Sequence, residues 1–163
     1  MFLHIESQRR ETYEQKEPLF GKPVADSFNA ANRDIAAAGR CLALDEPTAC
    51  VFHLMRVLEH GLRALAEKVG LDNDAMAHEN WQNVIDQIEK KIRALDSLTK
   101  GPAKVDRLKN YSAAAVQFRY FKDAWRNHVS HARESYDPRE AESVFIHVKE
   151  FMQHLTVNAS DGL

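Results

Sequence analysis

From Phe118 to His131 the chain reads Phe-Arg-Tyr-Phe-Lys-Asp-Ala-Trp-Arg-Asn-His-Val-Ser-His, and here residue types and spacing combine acid, base and anion chemistry. Arg126 carries a permanent charge and a planar fork of N–H donors that matches a phosphate or a carboxylate. His131, five residues further on, brings a side-chain type that gains and loses a proton near neutral pH. Together they are the minimum for moving a proton beside a stabilised anionic centre.

The stretch also has the period of a helix. At about 100° per residue, Phe118, Phe121, Trp125, Val129 and Ala132 share one face, which predicts a core-facing stripe. Tyr120, Asp123, Asn127 and His131 fall on the opposite face, with Ser130 and Glu134 beside them and Arg126 at the border. A separation of five residues is about 140° around an ideal helix, so Arg126 and His131 straddle the outer face, and the length of the arginine closes the gap. His128 is expected on the flank nearer the core, as a packed, hydrogen-bonded histidine and not as the base.

The elements that must position these groups follow from composition and period. A chain of 163 residues, 44% hydrophobic and 28% charged, suits one globular domain with a single core. A net charge of -2 excludes wholesale coating of a polyanion and leaves room for a local basic groove. The two cysteines, Cys41 and Cys50, form no redox or zinc motif, which fits a reducing compartment. No stretch approaches the roughly 18 apolar residues of a membrane helix, and the first residues lack the basic-then-apolar order of a signal peptide. A soluble, cytoplasmic protein without a membrane partner is expected.

Glycine and proline are scarce and fall between periodic segments, so the fold is expected to be all-α: a bundle of about five helices behind an N-terminal helical arm. Residues 1–24 are read as arm and connector, 25–156 as the helical domain and 157–163 as a tail. Leu19 and Phe20 are expected to pin the Pro- and Gly-containing connector to the body. A first core helix is predicted over 25–44, with Phe28, Ile35, Leu42 and Ala31 or Ala38 on a seven-residue rhythm. Asp45 is expected to cap the next helix, with Pro47 in its first turn and Gly70 just past its end. Val51, Met55, Leu58, Leu62, Leu65 and Val69 give that central helix its buried stripe, widened by Phe52, Leu54 and Val57. Its polar residues are His53, Arg56, Glu59, His60 and Arg63, and Arg56, Glu59 and Arg63 are spaced to pair along one edge. After a polar loop, Asn80 can cap a helix carrying Trp81, Val84, Ile85, Ile88, Ile92 and Leu95. Gly101-Pro102 separates it from a fourth helix over 104–134. Asp137, Pro138 and Glu140 spell a capping box that opens a last helix with Val144, Phe145, Val148, Met152 and Leu155 inward.

Arg126-Asn127-His128-Val129-Ser130-His131 resembles the signature of HEPN domains: an arginine, four to six residues and a histidine, often with a polar residue directly after the arginine. Its place near the end of a long fourth helix, before a short turn and one closing helix, is also similar to that all-α fold. The resemblance covers about Ala25 to Thr156 and leaves the N-terminal arm outside. It implies a homodimer in which two motif helices share a cleft, and for many members a metal-independent endoribonuclease. Carried over to matching positions, His131 is the general acid or base, Arg126 holds the scissile phosphate, and Asn127 orients the phosphate or the imidazole. Tyr120, Asp123 and Ser130 border the site, and Glu59, or Arg56, would approach Arg126 from the central helix. Such cleavage uses the RNA's own 2′-hydroxyl as nucleophile, so it needs a proton acceptor, a proton donor and a cation for the phosphorane, and a two-fold interface supplies two histidines. No cofactor is expected.

Other readings fit the same residues. Arg126 can be a structural ion-pair partner of Asp123 or Glu59, with His131 a helix-end cation. A non-catalytic dimer can use the same fold to bind a nucleotide, RNA or a protein partner, including an antitoxin-like one. His128-x-x-His131, with His147 or His154, gives a metal reading that no pair of carboxylates or cysteines completes.

Overall fold

The structure is a computed structural model that describes residues 9–76, 78–98, 101–129 and 135–159. Among the described residues it is helical throughout, with no strand. Five long helices make the body: α3 (Asn32–Ala43), α4 (Pro47–Lys68), α6 (Trp81–Leu98), α7 (Pro102–Phe121) and α9 (Pro138–Ala159). Short pieces join them: α1 (Arg10–Glu14), α2 (Lys22–Ser27), α5 (Asn73–Met76) and α8 (Asn127–Val129). No helix among the described residues is long and apolar enough to cross a membrane.

The central helix is α4, which packs against α3, α6, α7 and α9. Val51, Leu54, Val57, Leu58, Leu62 and Leu65 are all buried. Gly61 sits where three helices converge, since a Cβ there would lie 3.1 Å from Leu155 Cδ1 and Met152 Sδ and 3.3 Å from Phe118 Cζ. Phe52 departs from the predicted stripe: it is 50% exposed, on the open side of the helix.

The start and stop signals are specific. Asn80 Oδ1 accepts the Asn83 N–H at 3.0 Å and caps α6. Asp137 and Glu140 form the reciprocal capping box at the start of α9, each side chain accepting the other's backbone N–H at 2.8 Å. Past α4, Gly70 takes φ +80, and the bonds Leu71 N–H to Ala66 O and Gly70 N–H to Glu67 O close a Schellman motif. Asp45 does not cap α4. It stands at φ +58 and fills at the end of α3 the place Gly70 fills after α4, with Glu46 N–H bonded to Cys41 O and Asp45 paired with Arg9. Aspartate tolerates this left-handed conformation better than most residues, and Glu46 becomes the N-cap of α4.

The helix expected over 25–44 is broken at Phe28, whose φ of -124° and ψ of 55° end α2, and a 3₁₀ turn (Asn29–Ala31) leads into α3. The last helix runs on to Ala159, past the expected boundary at 156. In the connector, Phe20 is buried with its ring edge-on to Phe145 at 5.3 Å. The arm docks on α3: Gln15 Nε2 donates to Ala36 O at 2.7 Å, and a Cβ on Gly39 would meet Leu19 Cδ1 at 2.3 Å and Thr12 O at 3.1 Å. Glycine at 39 is therefore what lets the arm lie against the helix.

Candidate functional site

Helix α7 carries the motif stretch and is fastened on both sides. Toward α6, Arg119 Nη2 donates to Asp86 Oδ1 at 2.8 Å and Glu89 Oε1 at 3.0 Å. Toward α9, Phe118 and Phe121 meet Phe151 edge-on at 4.9 and 5.0 Å. Phe121 also stacks on Trp125 at 5.3 Å, and Trp125 reaches His147 of α9 at 5.9 Å. The aromatics do the packing expected of them.

Between Phe121 and Asn127 the helix changes character. Lys122–Arg126 is a π-helical turn, after which α8 resumes. A π turn holds one residue more than an α turn, so everything beyond it is displaced by one residue's rotation, about 100°. That displacement corrects two sequence expectations. His128, expected on the core flank, is exposed, and Asn127, expected outward, is half-buried. Arg126 is half-buried, and Trp125 and Val129 pack at the margin of the core.

The segment after the motif is tied back to the same place. Tyr136 N–H donates to Thr48 Oγ1 in the first turn of α4 at 3.0 Å, and the Tyr136 hydroxyl donates to the Trp125 carbonyl at 3.2 Å. This hydroxyl serves a carbonyl in the π turn, where the regular helical ladder is interrupted. A cavity of about 330 Å³ lies beside the turn, lined in part by Trp125, His128, Tyr136, Glu140 and Ser143.

The other residues read as site members are scattered around this turn. Tyr120 is 56% exposed, its ring against Phe121 and Trp125. Asp123 is exposed and pairs with Lys122 at 2.6 Å. Glu59 accepts from Arg63 Nη2 at 2.8 Å, realising one ion pair of the predicted α4 edge, and Arg63 also donates to Met76 O at 3.2 Å. The helix that carries Glu59 packs against both the π turn and α8. Ser130 and His131 lie outside the described residues, as do Ala132 and Glu134.

A polar cluster that the sequence reading left unassembled lies where α3 meets α4. Asp34 is the buried charged residue of the described core, its side chain more than nine-tenths shielded from solvent. Asp34 Oδ1 is 2.9 Å from both His53 Nδ1 and Arg56 Nε, and His60 Nε2 stands 3.8 Å from Oδ2. Burial pushes the Asp34 carboxyl upward, but hydrogen bonds and charge from His53 and Arg56 outweigh it and hold the carboxyl below the usual range. An ionised carboxylate only accepts, so Nδ1 of His53 carries the proton in this bond. Asp34 had one signal in the sequence. On the helical wheel it borders the stripe of Ala31, Ile35 and Ala38, so an acid there is half inside.

Among the described residues, no group of three His, Cys, Asp or Glu side chains is arranged to hold a metal ion. At the Asp34 cluster a guanidinium already occupies the carboxylate. His147 donates Nδ1–H to the Ser143 carbonyl at 2.7 Å. The two cysteines are unbridged, and burial, with Cys41 nearby, pushes the Cys50 thiol up to about 12, which leaves it unreactive at neutral pH.

Comparison with models of protein families, with curated proteins and with solved structures finds no match to this chain. The class defined by fold and site is an all-helical bundle with an arginine-bearing π-helical turn at the end of a long helix.

Proposed function

We propose that this protein is a metal-independent endoribonuclease of the HEPN type, acting as a cytoplasmic homodimer through a site shared between two copies of the motif helix. The observation that carries the reading is the placing of Arg126 and Asn127. They are half-buried around a π-helical turn at the end of α7, in the kind of helical irregularity that recurs at functional sites. His131 follows five residues after Arg126 in the sequence.

In this reading one His131 accepts the proton of the RNA 2′-hydroxyl as its oxygen attacks the adjacent phosphorus. The His131 of the second copy gives a proton to the departing 5′-oxygen. Arg126 neutralises the phosphorane between the two steps. The products are a 2′,3′-cyclic phosphate and a 5′-hydroxyl, so atoms and charge balance without a cofactor. The testing experiment is RNA cleavage by purified protein in excess EDTA, with His131→Ala and Arg126→Ala beside wild type. Cleavage lost in both, with helical circular dichroism and dimer mass retained, supports the reading, and wild type inert on every RNA offered sinks it.

A second reading keeps the fold and gives up catalysis: a dimer that binds a nucleotide or a partner such as an antitoxin-like protein. It is favoured by a cavity of about 440 Å³ between α7 and α9 that exposes Tyr120, Gln117, His147 and His154 to a ligand. Nucleotide binding by calorimetry with no cleavage of RNA is its expected outcome.

A further inference from the structure

A guanidinium and an imidazole at the α3–α4 junction are oriented by one buried carboxylate. Because Asp34 takes the Nδ1–H of His53, Nε2 is left as the ring's other nitrogen, an acceptor in the neutral imidazole and a donor in the imidazolium, on a side chain that is 29% exposed. Because Asp34 takes the Nε–H of Arg56, the two terminal nitrogens of that guanidinium remain at the surface, where the side chain is 54% exposed. The pair is thus preorganised: its orientation is fixed from below by a group that a ligand cannot reach. Immediately beside it stands Phe52, half-exposed on a helix whose other large apolar residues are buried, with its ring edge-on to the His53 ring at 5.9 Å.

A guanidinium fork and the second N–H of an imidazolium, held together, recognise a tetrahedral oxyanion. An exposed aromatic face next to such a cation adds a platform on which any base can stack, which is how single-stranded nucleic acid is held without sequence preference. We propose that Arg56, His53 and Phe52 form a binding subsite for single-stranded RNA on α4, with Arg56, joined by His53 in its imidazolium form, taking one backbone phosphate and Phe52 the neighbouring base. Asp34 and the more distant His60 serve as positioning residues. The choice of RNA rests on the ribonuclease reading, whereas the oxyanion chemistry stands on the geometry alone. Glu59, paired with Arg63 on the same helix, is the nearest described acid of α4, and its pairing limits repulsion of an incoming phosphate.

The test is fluorescence anisotropy with a labelled 2′-O-methyl oligoribonucleotide, which binds but cannot be cleaved by its own 2′-oxygen, measured over a range of salt. Arg56→Gln is expected to weaken binding about tenfold and to reduce the log–log salt slope by about 0.7, the value for one lost single-strand phosphate contact. Phe52→Ala, which removes a ring contact with His53 but no hydrogen bond or ion pair of the cluster, is expected to weaken oligonucleotide binding about tenfold and to leave the affinity for inorganic phosphate, followed by titration of the His53 ring resonances, unchanged. Wild-type binding with both variants unaffected overturns the subsite, as does phosphate binding without any oligonucleotide binding. The same variants separate the two readings in a cleavage assay. Cleavage with a KM untouched by Arg56→Gln leaves the nuclease standing and removes the subsite. Oligonucleotide binding with the Arg56 and Phe52 effects, in a protein that cleaves nothing, does the reverse.

Discussion

The π-helical turn and the α3–α4 junction both present an arginine, but they hold it by opposite means. At the junction, Arg56 is fixed by a single buried carboxylate contributed by a different helix, and its surroundings are regular α-helix. At the turn, Arg126 is placed by an irregularity of its own helix, which aromatic stacking and the Tyr136 hydroxyl secure. Electrostatic fixing from below gives an outward-facing cation suited to binding. Backbone placement in a half-buried setting gives a cation suited to charge that appears only during a reaction. On the function and the subsite proposed above, binding falls to Arg56 and chemistry to Arg126.

The sharpest way to break that division is to remove the residues of the arginine–histidine motif. His131→Ala or Arg126→Ala is expected to lower the RNA cleavage rate by about 10²- to 10⁴-fold, measured in single turnover, against a change in KM alone for Arg56→Gln. Equal rate losses at both arginines would erase the distinction. Next in size is an effect on the frame the two regions share. Gly61→Val forces a branched side chain against Leu155, Met152 and Phe118, and overpacking of this kind costs about 1–3 kcal/mol. A lowered urea midpoint with unchanged slope would register it.

At the junction itself, Asp34→Ala removes two hydrogen bonds to charged or chargeable partners and is expected to cost about 2 kcal/mol, a downward shift of melting temperature by several degrees. Its pH dependence sharpens the point. The carboxyl is held below the ordinary aspartate value of about 3.9, so Asp34 contributes stability above that value. The contribution fades as pH falls from there through the lowered native value, because the unfolded chain takes up the proton first. Asp34→Asn should lack this acid-limb component. The smallest effect belongs to Phe52→Ala, an exposed residue whose loss should change unfolding free energy by less than about 0.5 kcal/mol. A large loss would make Phe52 a structural residue and not a platform.

Much of the frame was legible because its signals are local. The Asn80 cap, the Asp137–Glu140 box, Gly70 and the stripes of α4, α6 and α9 each depend on residues within a turn or two of one another. The misreadings share a cause of the opposite kind. Asp45 looked like a cap because aspartate serves at helix starts and also tolerates a left-handed stop, and only the bonds Glu46 N–H to Cys41 O and Asp45 to Arg9 decide between them. Phe52 fell on the edge of a wide apolar arc, and the periodicity could not say where the neighbouring helices end. Asp34 lies 19 and 22 residues from His53 and Arg56, so its role exists only once α3 and α4 are packed. At the candidate site, the residues of the motif were readable as types, but their directions were not, since a fixed 100° step has no room for the extra residue between Phe121 and Asn127.

That extra residue makes the turn a phase adjuster that a single codon could switch off. Deleting Lys122 or Asp123 from the turn would let the helix run through as regular α and turn Asn127, His128 and Val129 back by about 100°. The lining of the cavity at His128 would then be exchanged for a different one without a single substitution in the lining itself.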